Sequence, residues 1–157
     1  MKAEIFNTLS VMDVLTGLNN RRAYEKCLAD IPPETDVCAV FCDVNSLKTV
    51  NDTMGHEEGD KLIKKMADIL RKVFSEKEIF RISGDEFVVI LQNEEDGAAS
   101  EKIAALKQII LENDRIASMG YDMGKGGDVQ DVINDAEKMM YLEKTEYYKE
   151  TGKDRRS

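Results

Sequence analysis

Six consecutive apolar residues, Val37-Cys38-Ala39-Val40-Phe41-Cys42, run up to an aspartate, Asp43. A strand of that composition is apolar on both faces, so it belongs in the middle of a sheet covered on both sides. The remaining segments of the chain have to be arranged around it. At 157 residues the chain suits one domain with a substantial core.

The flanking pattern supplies the cover. A helix is predicted over about 21–30, closed by the loop at Pro32-Pro33. After Gly59 an amphipathic helix places Leu62, Ile63, Met66, Ile69, Leu70 and Val73 on one face. Ile79-Phe80-Arg81-Ile82 and Phe87-Val88-Val89-Ile90-Leu91 read as two short strands, with Ser83-Gly84-Asp85-Glu86 as the tip of a hairpin. A helix over about 98–112 turns Ile103, Leu106, Ile109 and Ile110 inward, and 116–121 is a further strand. A glycine-rich loop at 124–127 then leads to a last helix carrying Val129, Val132, Ile133, Ala136, Met139 and Met140. Helices alternating with strands around a central hairpin predict an α/β (α+β) fold with a mixed sheet.

Composition narrows the partners. With a net charge of -9, nonspecific attraction to nucleic acid or to an anionic membrane is disfavoured. No apolar stretch approaches the ~18 to 20 residues of a membrane span. The N-terminal residues lack the sustained apolar run of a signal peptide, so a cytoplasmic location is expected, with room for a membrane anchor upstream in a longer protein. Cys27, Cys38 and Cys42 form no CxxC pair and read as reduced thiols, the last two buried.

Three clusters carry possible chemistry. Asp43 stands at the edge of the buried strand, where open sheets place ligands, although for Asp43 alone a turn or helix-cap role is the simpler reading. Asp85 and Glu86 are adjacent acids at a hairpin tip, and their repulsion is relieved if a divalent cation binds. If the hairpin pairs beside the 37–42 strand, the three acids converge, and oxygen ligands on strand ends suit magnesium. A solvated acidic turn is the competing reading of Asp85 and Glu86. In the third cluster, Asn51 and Asp60 flank a turn. An amide and a carboxylate can together read a guanine edge, though each alone is more often a cap residue. Backbone N–H groups after Asp43, at a helix start, can hold phosphates. His56 reads as a structural hydrogen-bonding residue.

These segments resemble the GGDEF domains. Asp13-Val14-Leu15-Thr16-Gly17-Leu18-Asn19-Asn20-Arg21-Arg22 is similar to their DxLTGLxNRR opening, and Asn51-Asp52-Thr53-Met54-Gly55-His56 with Gly59-Asp60 to their NDxxGHxxGD segment. Arg81-Ile82-Ser83-Gly84-Asp85-Glu86-Phe87 is similar to RxGGDEF, with serine for the first glycine. Ser118-Met119-Gly120 resembles the late SxG strand, and 136–144 the closing helix. The resemblance implies a palm or ferredoxin-like nucleotide-cyclase fold with about five strands. It implies residues 1–12 as the tail of a preceding helix and 13–157 as the domain. It further implies a diguanylate cyclase that condenses two GTP into cyclic di-GMP with release of pyrophosphate, as a homodimer. Asp43, the Val44 carbonyl, Asp85 and Glu86 would bind magnesium, for which manganese can substitute. Glu86 and Asp85 would be catalytic, and Asn51 and Asp60 would read guanine. Ser46, Leu47, Lys48 and Lys144 would approach the phosphates, and Arg81 would support the turn. A sensor or receiver domain upstream is the usual arrangement.

The departures matter. Ser83 and Asn45 stand where the family has glycine and aspartate, which leaves a second reading: a weak or inactive GTP-binding module that regulates an attached effector. A plain structural domain is a third. The stretch Phe74-Ser75-Glu76-Lys77 lacks the family's RxxD inhibitory motif, so product inhibition through that site is expected to be absent. The second phosphate-binding cation has no assigned position, with Lys149, Arg155 and Arg156 as candidates.

Overall fold

A computed structural model describes residues 11–153. The expected tail at the N-terminus falls mostly outside the described residues, as do Arg155 and Arg156. In chain order the elements are helix α1 (Arg21–Asp30), strand β1 (Asp36–Val44), helices α2 (Leu47–Met54) and α3 (His56–Val73), and strands β2 (Ile79–Arg81) and β3 (Glu86–Gln92). Helix α4 (Ala98–Glu112), strand β4 (Ala117–Lys125) and helix α5 (Val129–Thr151) complete the fold. Asn20 caps α1 by accepting the Ala23 N–H at 3.0 Å.

The sheet order is β2-β3-β1-β4, with β1 in the interior as its apolar run requires. Two details differ from expectation. The described residues form four strands rather than about five, and every named pair is antiparallel. The βαββαβ order explains this. Each helical crossover returns a strand parallel to the one it left, but a strand running the other way is inserted between them. Among the described residues a single parallel bridge, Asn19 to Phe80, lies at the β2 edge. Strand β4 also runs through Gly124 to Lys125, which composition alone reads as loop. Gly124 pairs with Val37, and a Cβ there would lie 2.7 Å from Val132 Cγ2, so this glycine serves the packing of α5 against the sheet.

The alternation along the strands builds two cores. Cys38, Val40, Cys42, Val44, Phe87, Val89 and Leu91 face α3 and α4, meeting Ile63, Met66, Leu70, Ile103 and Leu106. Val37, Ala39, Phe41, Val88 and Ile90 face the other way, onto Tyr24 of α1 and Val132, Ile133, Ala136 and Met140 of α5. All three cysteines are free, and Cys38 and Cys42 are buried. Burial pushes the Cys38 thiol up to about 11 and raises those of Cys42 and Cys27. Thiol titration of the native protein should therefore label half-buried Cys27 slowly and spare Cys38 and Cys42 until denaturant is added. Rapid native labelling of all three would contradict the burial.

Candidate functional site

The ends of β1 and β4 and the β2–β3 turn meet at one edge of the sheet. Asp43 is paired with Glu86 of β3 on one side and Ser118 of β4 on the other. The Val44 N–H donates to the Asp85 carbonyl at 2.8 Å, fixing the turn against the central strand. The conditional expectation, that the hairpin lies beside β1, therefore holds, and Asp43, Val44, Asp85 and Glu86 come together.

Asp43 is largely withdrawn from solvent. Its carboxyl is pushed up to about 7, chiefly by burial, which outweighs the Lys144 ammonium, while neighbouring Asp85 adds to the rise. Lys144 reaches in from α5, its Nζ donating to Asp43 Oδ1 at 2.8 Å and to the Val44 carbonyl at 3.0 Å. The lysine is 7% exposed, and its Nζ lies 5.7 Å from the centre of the Tyr148 ring. A cation thus already stands between two of the oxygens expected to hold a metal, so the donor set accepts positive charge. Among the described residues no three acidic, histidine or cysteine side chains form a ready-made cage.

Beyond Val44 the chain turns through a left-handed residue, Ser46 (φ 63°), into α2. The Ser46 N–H donates to the Tyr148 hydroxyl at 2.8 Å. Lys153 Nζ lies 3.5 Å from Ser46 Oγ and 3.3 Å from the Tyr147 hydroxyl. Leu47 is half-buried against the core, and Lys48 is exposed on the first turn of α2. Asn51 belongs to α2 and Asp60 to α3, and the two helices fold against each other. The Asn51 carboxamide lies so close to Gly59 that a Cβ there would fall 1.7 Å from its Oδ1. It is thereby held one residue from Asp60, which is exposed.

Several roles escaped sequence reading. Ser83 Oγ donates to Glu86 Oε1 at 2.6 Å, so the serine orients the second acid. Asn45 is buried and engaged at both side-chain polar atoms: its Nδ2 donates to the Arg115 carbonyl at 2.8 Å and its Oδ1 accepts from Ser118 Oγ at 2.9 Å. The amide tie needs a donor, which an aspartate carboxylate lacks. Tyr148 stands one helical turn beyond Lys144, a spacing legible as i, i+4, but its hydroxyl's partner is not. Ser75 and Glu76, in the stretch lacking RxxD, cap and form a short 3-10 turn, and Glu76 pairs with Arg71.

Arg81 holds the turn. Its Nη2 donates to the Gly84 carbonyl at 2.8 Å, and its Nη1 to Asp13 Oδ1 at 3.0 Å and Oδ2 at 3.2 Å. Arg81→Met should lower the unfolding free energy by about 2 kcal/mol, because it leaves the half-buried Asp13 carboxylate with its Thr16 hydrogen bonds but without its ion-pair partner. Denaturant unfolding checks this; an unchanged midpoint would mean the clamp contributes nothing.

A cavity of about 580 Å³ opens beside the acids, lined by Asp43, Glu86, Glu137, Met140, Tyr141 and Leu142 among others. A second, of about 400 Å³, lies at the opposite end of the sheet near Asp36 and Gly97, away from every expected site residue.

Comparison with known proteins gives the family and the fold. The family described as "Diguanylate cyclase, GGDEF domain" matches residues 10–149. The chain belongs to the GGDEF family. Among curated relatives, diguanylate cyclase DgcS of Shewanella oneidensis is 36% identical over 98 residues, which are 59% of this chain and 33% of DgcS. The chain thus spans about a third of that relative's length. Among solved structures, the coiled coil and GGDEF domain of DgcB from Caulobacter crescentus, in complex with c-di-GMP, superposes with a TM-score of 0.78 at 23% identity. The match covers 98% of this chain and 88% of that one. The GGDEF domain of FimX from Pseudomonas aeruginosa gives 0.72 at 18% identity, covering 87% and 94%. At such identities these two show the fold. Among the described residues no helix is long and apolar enough to cross a membrane.

Proposed function

We propose that this GGDEF domain is an active diguanylate cyclase, joining two GTP into cyclic di-GMP with release of pyrophosphate. The observation that carries the reading is the convergence of Asp43, the Val44 carbonyl and the Asp85–Glu86 turn around a point that already attracts a cation. Asp43, the Val44 carbonyl and Asp85 would hold magnesium or manganese, with Glu86 as the second acid. The ion, when bound, supplies charge stabilisation at the triphosphate.

The chain's own residues would position the rest. Asn51 and Asp60 would read the guanine edge, and the start of α2, from Ser46 and Leu47 to Lys48, would face the phosphates. Each 3′-hydroxyl attacks the α-phosphate of the other nucleotide, forming one P–O bond as the bond to pyrophosphate breaks. Glu86, oriented by Ser83, is placed to help draw off the hydroxyl proton. Two half-reactions need two domains face to face, so the working unit is a homodimer with C2 symmetry. A cytoplasmic setting and an upstream sensor or receiver domain complete the proposal.

The alternative is a GTP-binding module without turnover. It is favoured by Ser83 and Asn45, which stand where the family has glycine and aspartate. Incubation with GTP and magnesium at several protein concentrations separates the two. Cyclic di-GMP and pyrophosphate are expected, with specific activity rising as protein concentration rises. Saturable GTP binding without product, even when two domains are tethered, would establish the module instead.

A further inference from the structure

We propose that Lys144 is the resident cation of the acidic site, and that a divalent ion enters only by displacing it, so that metal loading is held back until nucleotide phosphates draw the ammonium away. This rests on the cyclase reading, because it takes the oxygens assigned there as metal ligands.

The geometry is specific. Lys144 Nζ lies 2.8 Å from Asp43 Oδ1 and 3.0 Å from the Val44 carbonyl oxygen. Those are the carboxylate and carbonyl to which a divalent ion would bind. An ammonium at that distance from both excludes a second cation by contact and by repulsion. The side chain is buried, so water screens that repulsion poorly. Lysine suits this task because its charge is a point on a flexible four-carbon stem, able to leave without moving α5.

Tyr148, one turn further along the same helix, does the complementary thing. Its hydroxyl occupies the Ser46 N–H, an amide at the start of α2 where a phosphate would bind. Helix α5 therefore satisfies both halves of the site, with a cation for the acid and an acceptor for the amide. A divalent ion arriving alone has to expel a buried ammonium whose new partner is absent. A triphosphate arriving with it supplies that partner. Two ligands that each relieve the same internal contact bind with positive coupling.

The test is metal affinity without nucleotide, read by the electron paramagnetic resonance signal of free Mn²⁺ titrated with the full chain. The wild type is expected to bind Mn²⁺ weakly. Lys144→Met should bind it about ten-fold more tightly or better, since the competing charge is gone. Lys144→Arg, which keeps the charge, should stay near the wild-type value; a merely structural role for the lysine would not separate Met from Arg. Asp43→Asn in the Lys144→Met background should abolish the gain, locating the ion. If Lys144→Met is too unstable to titrate, Lys144→Gln serves, with the same expectation. Equal Mn²⁺ affinity in wild type and Lys144→Met or Lys144→Gln would overturn the displacement while leaving the metal site intact. No binding by any variant, with cyclic di-GMP formed nonetheless, would overturn both the displacement and the assignment of these oxygens.

Discussion

Asp43→Asn is expected to reduce cyclic di-GMP formation by about a thousand-fold or more, equivalent to about 4 kcal/mol of lost transition-state stabilisation. Asparagine keeps the shape and one oxygen for Lys144 but removes the negative charge that would anchor the ion. The side chain is central to the sheet edge, paired with Glu86 and Ser118, and water cannot substitute for it easily. Product analysis by chromatography, alongside a circular dichroism melt to show that the fold survives, checks the effect. Retention of even a tenth of wild-type activity would mean that the reaction does not run through this carboxylate.

A pH dependence follows from the same residue. The Asp43 carboxyl stands at about 7 in the folded protein against an ordinary 3.8. Between those values the folded chain holds a proton that the unfolded chain has released. The contribution of Asp43 to stability is thus fully present below about 4 and is lost as pH rises through 7. A metal ion has to compete with that proton, so the magnesium concentration needed for half-maximal activity should fall as pH is raised from 6 to 8. Asp43→Asn should flatten the corresponding slope of metal-free stability.

Gly120→Ala is expected to destabilise the fold by about 3 kcal/mol, lowering the melting temperature by roughly 10 °C. Gly120 lies in β4 beneath α5, and a Cβ there would fall 2.1 Å from the Ala136 carbonyl oxygen, 2.4 Å from the Met140 N and 2.8 Å from Met139 Cβ. Two of those atoms are helix backbone, so no rotamer change gives relief. The helix has to lift from the strand, which opens the core layer built by Val132, Ile133, Ala136 and Met140. Gly84→Ala is the control, since an added Cβ there meets nothing within 4 Å. It should leave the melting temperature nearly unchanged. Similar losses for both variants would mean that backbone entropy, rather than the close approach, sets the cost.

Much of this was legible from the chain alone, and for identifiable reasons. The apolar run 37–42 announced a doubly covered strand, and the 3.6-residue periodicity of 62–73 and 103–110 announced the helices that cover it. Strand direction was not legible, because a hydrophobic pattern is the same read either way; the insertion of β3 between β1 and β2 is a tertiary fact. The meeting of Asp43 with the Asp85–Glu86 turn could be stated only as a condition on that pairing. The Lys144–Asp43 contact spans 101 residues of sequence, and no local signal marks it. Asn45 and Ser83 looked like defects in a motif. Their side-chain partners, Arg115 and Ser118 for one and Glu86 for the other, are visible only in three dimensions.

The Asp13–Arg81–Gly84 clamp ties a residue near the start of the described chain to the tip of the acidic turn. One rigid planar guanidinium thus couples the position of the Asp13 carboxylate to that of the loop that presents Asp85.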